Sequence, residues 1–284
     1  MKNTHKCALL ISAVRAAETE IAIGKLLSQG IRCLLVKGIS HSRFYPSHIV
    51  RESYDVDIAV HPEDFELAKR LEDEGAFAPL LIDLHRGLGN LDRERFDEVF
   101  ENAESMSIGN RSVMVPKLED CLRIAIRHWV ADGGRHRHRL DDIAYMISAA
   151  KASFDFDYFL KKGESLEFFA IPILCAHRYS QVEFDIPEWI PAGLELPISL
   201  TGKLEDVWNS TLSYKSLASS KRSLRELGRQ VRLRSRLFPI MSLAPDNCDG
   251  RFTGSNYTLF GFAQSRGLVA GAGFLKELRN RLGI

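Results

Sequence analysis

Cysteine is scarce and unpatterned in this 284-residue chain. The five cysteines, at positions 7, 33, 121, 175 and 248, are odd in number, widely separated and never in Cys-x-x-Cys spacing. That excludes a disulfide framework or a zinc ribbon as the organising feature, since both need clustered thiols. Long apolar runs are missing as well. The patch from Cys7 to Val14 is cut short by Arg15 and Glu18, too soon for a signal-peptide core or a span of about 20 apolar residues, so a cytoplasmic protein with no membrane partner is expected. Charge of one sign is also lacking. The 38 Lys and Arg nearly cancel the 37 Asp and Glu, leaving +1, and so small a net charge sets up no global field to recruit nucleic acid. The glycines from Gly261 to Gly273 follow no clear strand and sit in no βαβ unit, which argues against a dinucleotide fingerprint and for a C-terminal tail or cap.

With 45% hydrophobic and 26% charged residues, the chain can bury a proper core, and two domains are expected. Its most informative run is Tyr54-Asp55-Val56-Asp57-Ile58-Ala59-Val60. Two carboxylates two residues apart on a β-branched strand point to the same face. Repulsion and desolvation oppose that arrangement unless a cation lies between them. Magnesium fits best, because it takes oxygen ligands, is held by one or two carboxylates and completes its shell with water and phosphate. The plain alternative is a half-exposed edge strand with solvated acids.

The flanking residues sharpen the reading. Upstream, the apolar run Ile31 to Val36 reads as a buried strand ending at Lys37-Gly38-Ile39-Ser40, where a glycine lets backbone N–H groups approach a phosphate. Downstream, Leu80-Leu81-Ile82-Asp83-Leu84-His85 is a second apolar run that brings a third acid. Between them, Pro62, the acids Glu63 and Asp64, the stripe Phe65, Ala68, Leu71 and the closing Gly75 mark a helix. Residues 52 to 104 hold sixteen acids against five Lys or Arg, which suits a cation-dependent site and is also what solvated helices look like.

These residues carry a resemblance. The run Leu35-Val36-Lys37-Gly38, then Tyr45-Pro46, Arg51, Asp55-Val56-Asp57-Ile58, Pro62-Glu63-Asp64 and Asp83-Leu84-His85 resembles the uncharacterised bacterial nucleotidyltransferase family of the DNA polymerase beta superfamily. So do Val115 to Leu122, His128, Arg139-Leu140-Asp141-Asp142-Ile143 and Ile186-Pro187, over roughly residues 8 to 190. The resemblance implies transfer of a nucleoside monophosphate from an NTP such as ATP to an acceptor hydroxyl, releasing pyrophosphate. Asp55, Asp57 and Asp83 would hold Mg²⁺ or Mn²⁺, with Asp83 also activating the acceptor. Lys37, Gly38, Ser40 and Arg51 would bind the nucleotide, with His85 and His128 as candidate contacts to acceptor or phosphate. One departure is that Gly38 is followed by Ile39, where the superfamily usually has serine or a second glycine. Arg51 has a second reading, an ion pair with Glu52 or Asp55.

The expected fold class is α+β: a nucleotidyltransferase-type mixed sheet with helices over 1–115, an all-helical second domain over 116–240, and a tail or cap over 241–284. A helix is expected from about Ser12 to Gln29, a hairpin turning at Gly109-Asn110, and helices near 117–131, 139–151, 155–162, 164–182 and 203–236. The stretch Arg135 to Arg139 reads as an exposed basic loop. Seven Lys and Arg between Lys221 and Arg236 face the single acid Glu226, a pattern that suits a nucleic-acid backbone or a solvated surface above Leu224, Leu227 and Val231. The acceptor stays open among a small molecule, a peptide or protein, and RNA, the last as in a toxin-like tRNA-modifying enzyme. An inert nucleotide- or RNA-binding module of the same fold is the reading from another class, and the presence of all three acids argues against it.

Overall fold

The computed structural model describes residues 2–88, 95–131, 134, 136–150, 154–160 and 164–209. The basic segment 221–236 and the glycine-rich tail lie outside these residues. The first element, α1 (Lys2–Ser28), begins well before the expected Ser12. Leu9, Leu10 and Ile11 are exposed there, so this apolar run forms no buried stripe that would reveal a helix by periodicity. Gly30, at φ +70°, ends it: the Gly30 and Ile31 N–H groups donate back to the Leu27 and Leu26 carbonyls, the left-handed cap that glycine adopts without strain.

A three-stranded sheet follows, in the order β1 (Cys33–Leu35), β2 (Val56–Val60), β3 (Ile82–Arg86), with β1 antiparallel and β3 parallel to β2. The helix α2 (Gly38–Ser42) lies between β1 and β2, and α3 (Phe65–Asp73) makes the crossover to β3. Strand alternation divides β2 between two environments. Val56, Ile58 and Val60 pack with Ile23 and Leu26 of α1 and Ala68 of α3, each fully buried side chain contributing about 1.5–3 kcal/mol. Ala59 faces the other way, with Leu34 and Val36, under Ile124. Asp55 and Asp57 share the face of Ala59, so the acids stand on a strand anchored from behind.

The expected hairpin is present as β4 (Glu104–Ile108) and β5 (Arg111–Val115), in register from Glu104 with Val115 to Ile108 with Arg111. The Asn110 N–H donates to Glu20 of α1, tying the turn to the first helix. The short α4 (Phe96–Glu101) was not among the sequence expectations. Its six residues bury only Phe96 and Val99 within an acid-rich stretch, less than one full period of apolar signal.

After β5 the described residues form helices and loops only: α5 (Leu118–Ala131), α6 (Arg139–Ala149), α7 (Phe156–Phe159), α8 (Leu166–Tyr179) and α9 (Ile198–Asn209). The expected helix 203–236 coincides with the described residues only in α9, which starts earlier, at Ile198. Their core gathers Trp129, Leu140, Ile143, Phe159 and Phe169. Arg123 is fully buried there and shares Glu164 with Arg127, a charge cluster that burial tolerates because each cation meets a carboxylate. Among the described residues no helix is long and apolar enough to cross a membrane.

Candidate active site

The Lys37–Gly38 turn leaves β1 with two consecutive positive φ angles, +54° and +37°. At Gly38 a Cβ would come within 2.8 Å of the Ser53 hydroxyl, which donates to the Asp55 carbonyl at 2.8 Å. Glycine is therefore required by close approach, and the contact ties the turn to the start of β2. Lys37 has no such freedom. A lysine at φ +54°, ψ −152° lies in a region that only glycine visits readily, at a cost of about 1–3 kcal/mol. Its side chain explains what holds it there: the ammonium is buried in an ion pair with Asp57.

Asp57 and Asp83 are direct neighbours in the parallel β2–β3 ladder, so both carboxylates leave the same face of the sheet. His85, two residues on, places Nε2 3.1 Å from Asp57 Oδ1 and 3.5 Å from Asp83 Oδ2. Ligand atoms of Asp57, Asp83 and His85 all lie within 4.8 Å of one another. Asp55 stands outside that triad but lines the same cleft as Asp57 and Asp83. Asp57 and Asp55 are shifted in opposite directions. Burial pushes the Asp57 carboxyl up, but the His85 hydrogen bond and the Lys37 ammonium outweigh it and bring it down to about 2. Asp55 is raised above the usual carboxylate value, chiefly by burial and then by the charge of Asp57.

The cleft has a volume of about 620 Å³ and runs between this sheet edge and the helices, whose wall includes Ala125, His128, Arg139, Asp142 and Tyr145. A family described as an uncharacterised nucleotidyltransferase matches residues 11–182. The chain belongs to this nucleotidyltransferase family. No curated protein and no solved structure matches the chain.

In this nucleotidyltransferase the residues singled out from sequence are distributed unevenly. Lys37, Gly38, Arg51, Asp55, Asp57, Asp83 and His128 line the cleft, and His85 lies against Asp57 and Asp83. Ser40 does not line it. It is buried with its hydroxyl 3.7 Å from Cys121 Sγ of α5: Gly38 and His41, three residues apart on α2, line the cleft, and Ser40, two residues after Gly38, lies on the other side of the helix. Arg51 pairs with neither Glu52 nor Asp55. Its Nε and Nη2 donate to Asp142 of α6 at 2.6 and 2.8 Å, and that carboxylate also accepts from Tyr45 Oη at 2.7 Å. Burial raises the Asp142 carboxyl, but the Arg51 guanidinium outweighs it and holds it well below the usual range. His128 is neutral: burial and the Arg139 charge bring it down to about 2. Arg139 Nη1 lies 3.0 Å from His128 Nε2, and since a guanidinium can only donate, Nε2 is the acceptor and the ring proton sits on Nδ1. The neutral ring leaves the positive charge at this position to Arg139. Of the stretch Arg135 to Arg139, Arg137 and His138 are exposed as expected, whereas Arg139 opens α6 and reaches the cleft.

Two cleft residues had no sequence signal for the role the structure gives them. Asp142, within the family-like helical segment, is the anchor for Tyr45 and Arg51. His41 is 2% exposed, has Nδ1 3.8 Å from Asp142 Oδ2, and neither ring nitrogen has a hydrogen-bond partner among the described residues. Only the three-dimensional meeting of α2 and the loop that follows it with α6 brings them together.

The residues fit a hard divalent cation. Asp57 and Asp83 offer oxygen ligands from adjacent strands, a donor set that suits magnesium or manganese, and the Lys37 ammonium on Asp57 shows that the carboxylate attracts a cation at this spot.

Proposed function

We propose that this nucleotidyltransferase moves a nucleoside monophosphate from an NTP to an acceptor hydroxyl, in the manner implied by its resemblance to the DNA polymerase beta superfamily. The observation that carries the reading is the in-register pair Asp57 and Asp83 on the floor of a cleft that also holds Asp55 and Lys37. Asp55, Asp57 and Asp83 would hold Mg²⁺ or Mn²⁺, which would supply charge that offsets the negative charge developing on the transferring phosphoryl group.

The chain's own side chains do the rest. His85 holds the Asp57 carboxylate in one orientation through its 3.1 Å contact. Lys37 supplies a positive charge to the triphosphate, and Gly38 leaves room beside the turn. Asp83, with its side chain 56% exposed, is reachable by an acceptor and takes the hydroxyl proton as the acceptor oxygen bonds to the α-phosphorus and the bond to pyrophosphate breaks. Arg51, already neutralised by Asp142, offers directional donors rather than net charge.

The cleft has room for a nucleotide and an acceptor of modest size, and we infer a small molecule or an exposed peptide hydroxyl as acceptor. The test is incubation with each α-phosphate-labelled NTP, Mg²⁺ or Mn²⁺ and a cell extract, followed by size fractionation. Label in small molecules or protein supports the reading. Nuclease-sensitive label would identify RNA as the acceptor, and absence of label with every NTP would favour an inert binding module.

A further inference from the structure

Lys37 occupies an unusual place. It is a lysine where the backbone asks for glycine, its side chain is 10% exposed, and its ammonium sits on the carboxylate that the proposed function gives to a metal. Both donors recorded on Asp57, Lys37 Nζ and His85 Nε2, meet the same oxygen, Oδ1. A divalent cation entering between Asp57 and Asp83 therefore shares a carboxylate with an ammonium. Two positive charges at that separation, in a largely buried site, repel strongly, and the pair that holds Lys37 in its strained conformation is weakened.

We propose that Lys37 is an exchangeable counter-ion: it occupies the cation's place on Asp57 in the empty protein, is displaced into the cleft when metal binds, and there becomes the phosphate ligand. The surroundings leave it that course. Behind the turn, Val36 and Leu34 are buried in the sheet face under Ile124, Gly38 is pressed against Ser53, and Lys37 itself lines the cleft. Metal would then bind before the nucleotide and prepare its grip, and without metal the site is closed by its own lysine.

This inference rests on the proposed function, and the two fail differently. Mn²⁺ binding is measured on the full chain without nucleotide, by the loss of the free-ion EPR signal, for wild type, Asp57→Asn, Lys37→Met and Lys37→Gly, each checked for native circular dichroism. Asp57→Asn should weaken binding, whereas both Lys37 variants should tighten it by about tenfold or more, because a competing charge has been removed. A non-hydrolysable NTP analogue should show the reverse order, binding the Mn²⁺-loaded Lys37 variants less tightly than wild type. If Asp57→Asn binds Mn²⁺ as wild type does, the metal site is misplaced and the proposed function falls with it. If Asp57→Asn is weakened but neither Lys37 variant is tightened, the metal site stands and the exchange is refuted. A second readout follows the lysine itself: acetylation of Lys37 by an amine-reactive reagent, quantified by mass spectrometry, should rise on adding Mn²⁺, and unchanged labelling refutes displacement.

Discussion

Asp142→Asn is the sharpest perturbation available away from the proposed metal ligands. Asp142 accepts from Arg51 Nε, Arg51 Nη2 and Tyr45 Oη at 2.6, 2.8 and 2.7 Å, and the side chains of Arg51 and Asp142 are 17% and 9% exposed. Asparagine keeps the shape, so no cavity opens. It removes the charge and turns one acceptor into a donor facing Arg51. Arginine cannot escape by losing its proton, so a buried guanidinium is left without a counter-charge, which costs about 3–5 kcal/mol. Against a total stability of about 5–15 kcal/mol the loss is large. Urea unfolding should show a lower midpoint with an unchanged m-value. The neighbouring Asp141→Asn is the control. Burial raises the Asp141 carboxyl, so its charge is already disfavoured and neutralising it should change stability by less than about 0.5 kcal/mol. The double variant Arg51→Met, Asp142→Leu removes both charges and should recover much of the loss, a coupling that a cycle measures directly. An Asp142→Asn variant within about 1 kcal/mol of wild type would mean that the 43–55 loop is held by something else, and the account of how Arg51 and Tyr45 are placed in the cleft would be wrong.

Asp55→Asn and Asp57→Asn should both abolish metal-dependent labelling, yet separate in the metal-free protein. Asp55→Asn relieves a carboxylate raised by burial and by Asp57, and should leave the melting temperature unchanged or higher, whereas Asp57→Asn strands Lys37 and should lower it; equal shifts would contradict the charge assignment. At Lys37 the usual ranking inverts: Lys37→Gly should be more stable than Lys37→Ala by about 1–3 kcal/mol, since glycine alone relieves φ +54°, and urea titration of the pair decides it. The pH dependence follows from His128, whose folded value near 2 lies below its ordinary 6.5. The unfolded chain takes up the proton first, so this group's contribution is full above about pH 6.5 and is lost by up to about 1.4 kcal/mol per pH decade below it, with buried His41, also shifted down, adding in the same direction; His128→Gln should reduce the slope between pH 6 and 4, and an unchanged slope would show that His128 is not buried neutral. Asp57 and Asp142, both depressed, contribute above about pH 4 and lose that contribution as acid reaches their folded values, so a steeper loss of stability should appear below pH 4.

What could be read from the sequence was what is encoded within one element. The alternation of Val56, Asp57, Ile58 and Ala59 fixed which side of β2 is core and which carries acid, and the structure keeps that division, with Ile58 in one cluster and Ala59 in another. Asp83 was legible because an acid interrupts an apolar run, and the parallel register with Asp57 follows from the single intervening helix. Pairings between distant segments were not legible. Nothing local distinguishes Asp142 from Asp141, although the structure gives one a buried cation and raises the carboxyl of the other, and Arg51 seemed free to meet Glu52 or Asp55 until α6 supplied a better-buried partner. Lys37 shows the limit most clearly. As a sequence it reads as a phosphate ligand after a strand, a role that needs only its charge. Its positive φ and its ion pair with Asp57 arise because Gly38 packs against Ser53 and turns the chain toward β2, and that turn places the lysine on the carboxylate it was expected merely to stand beside.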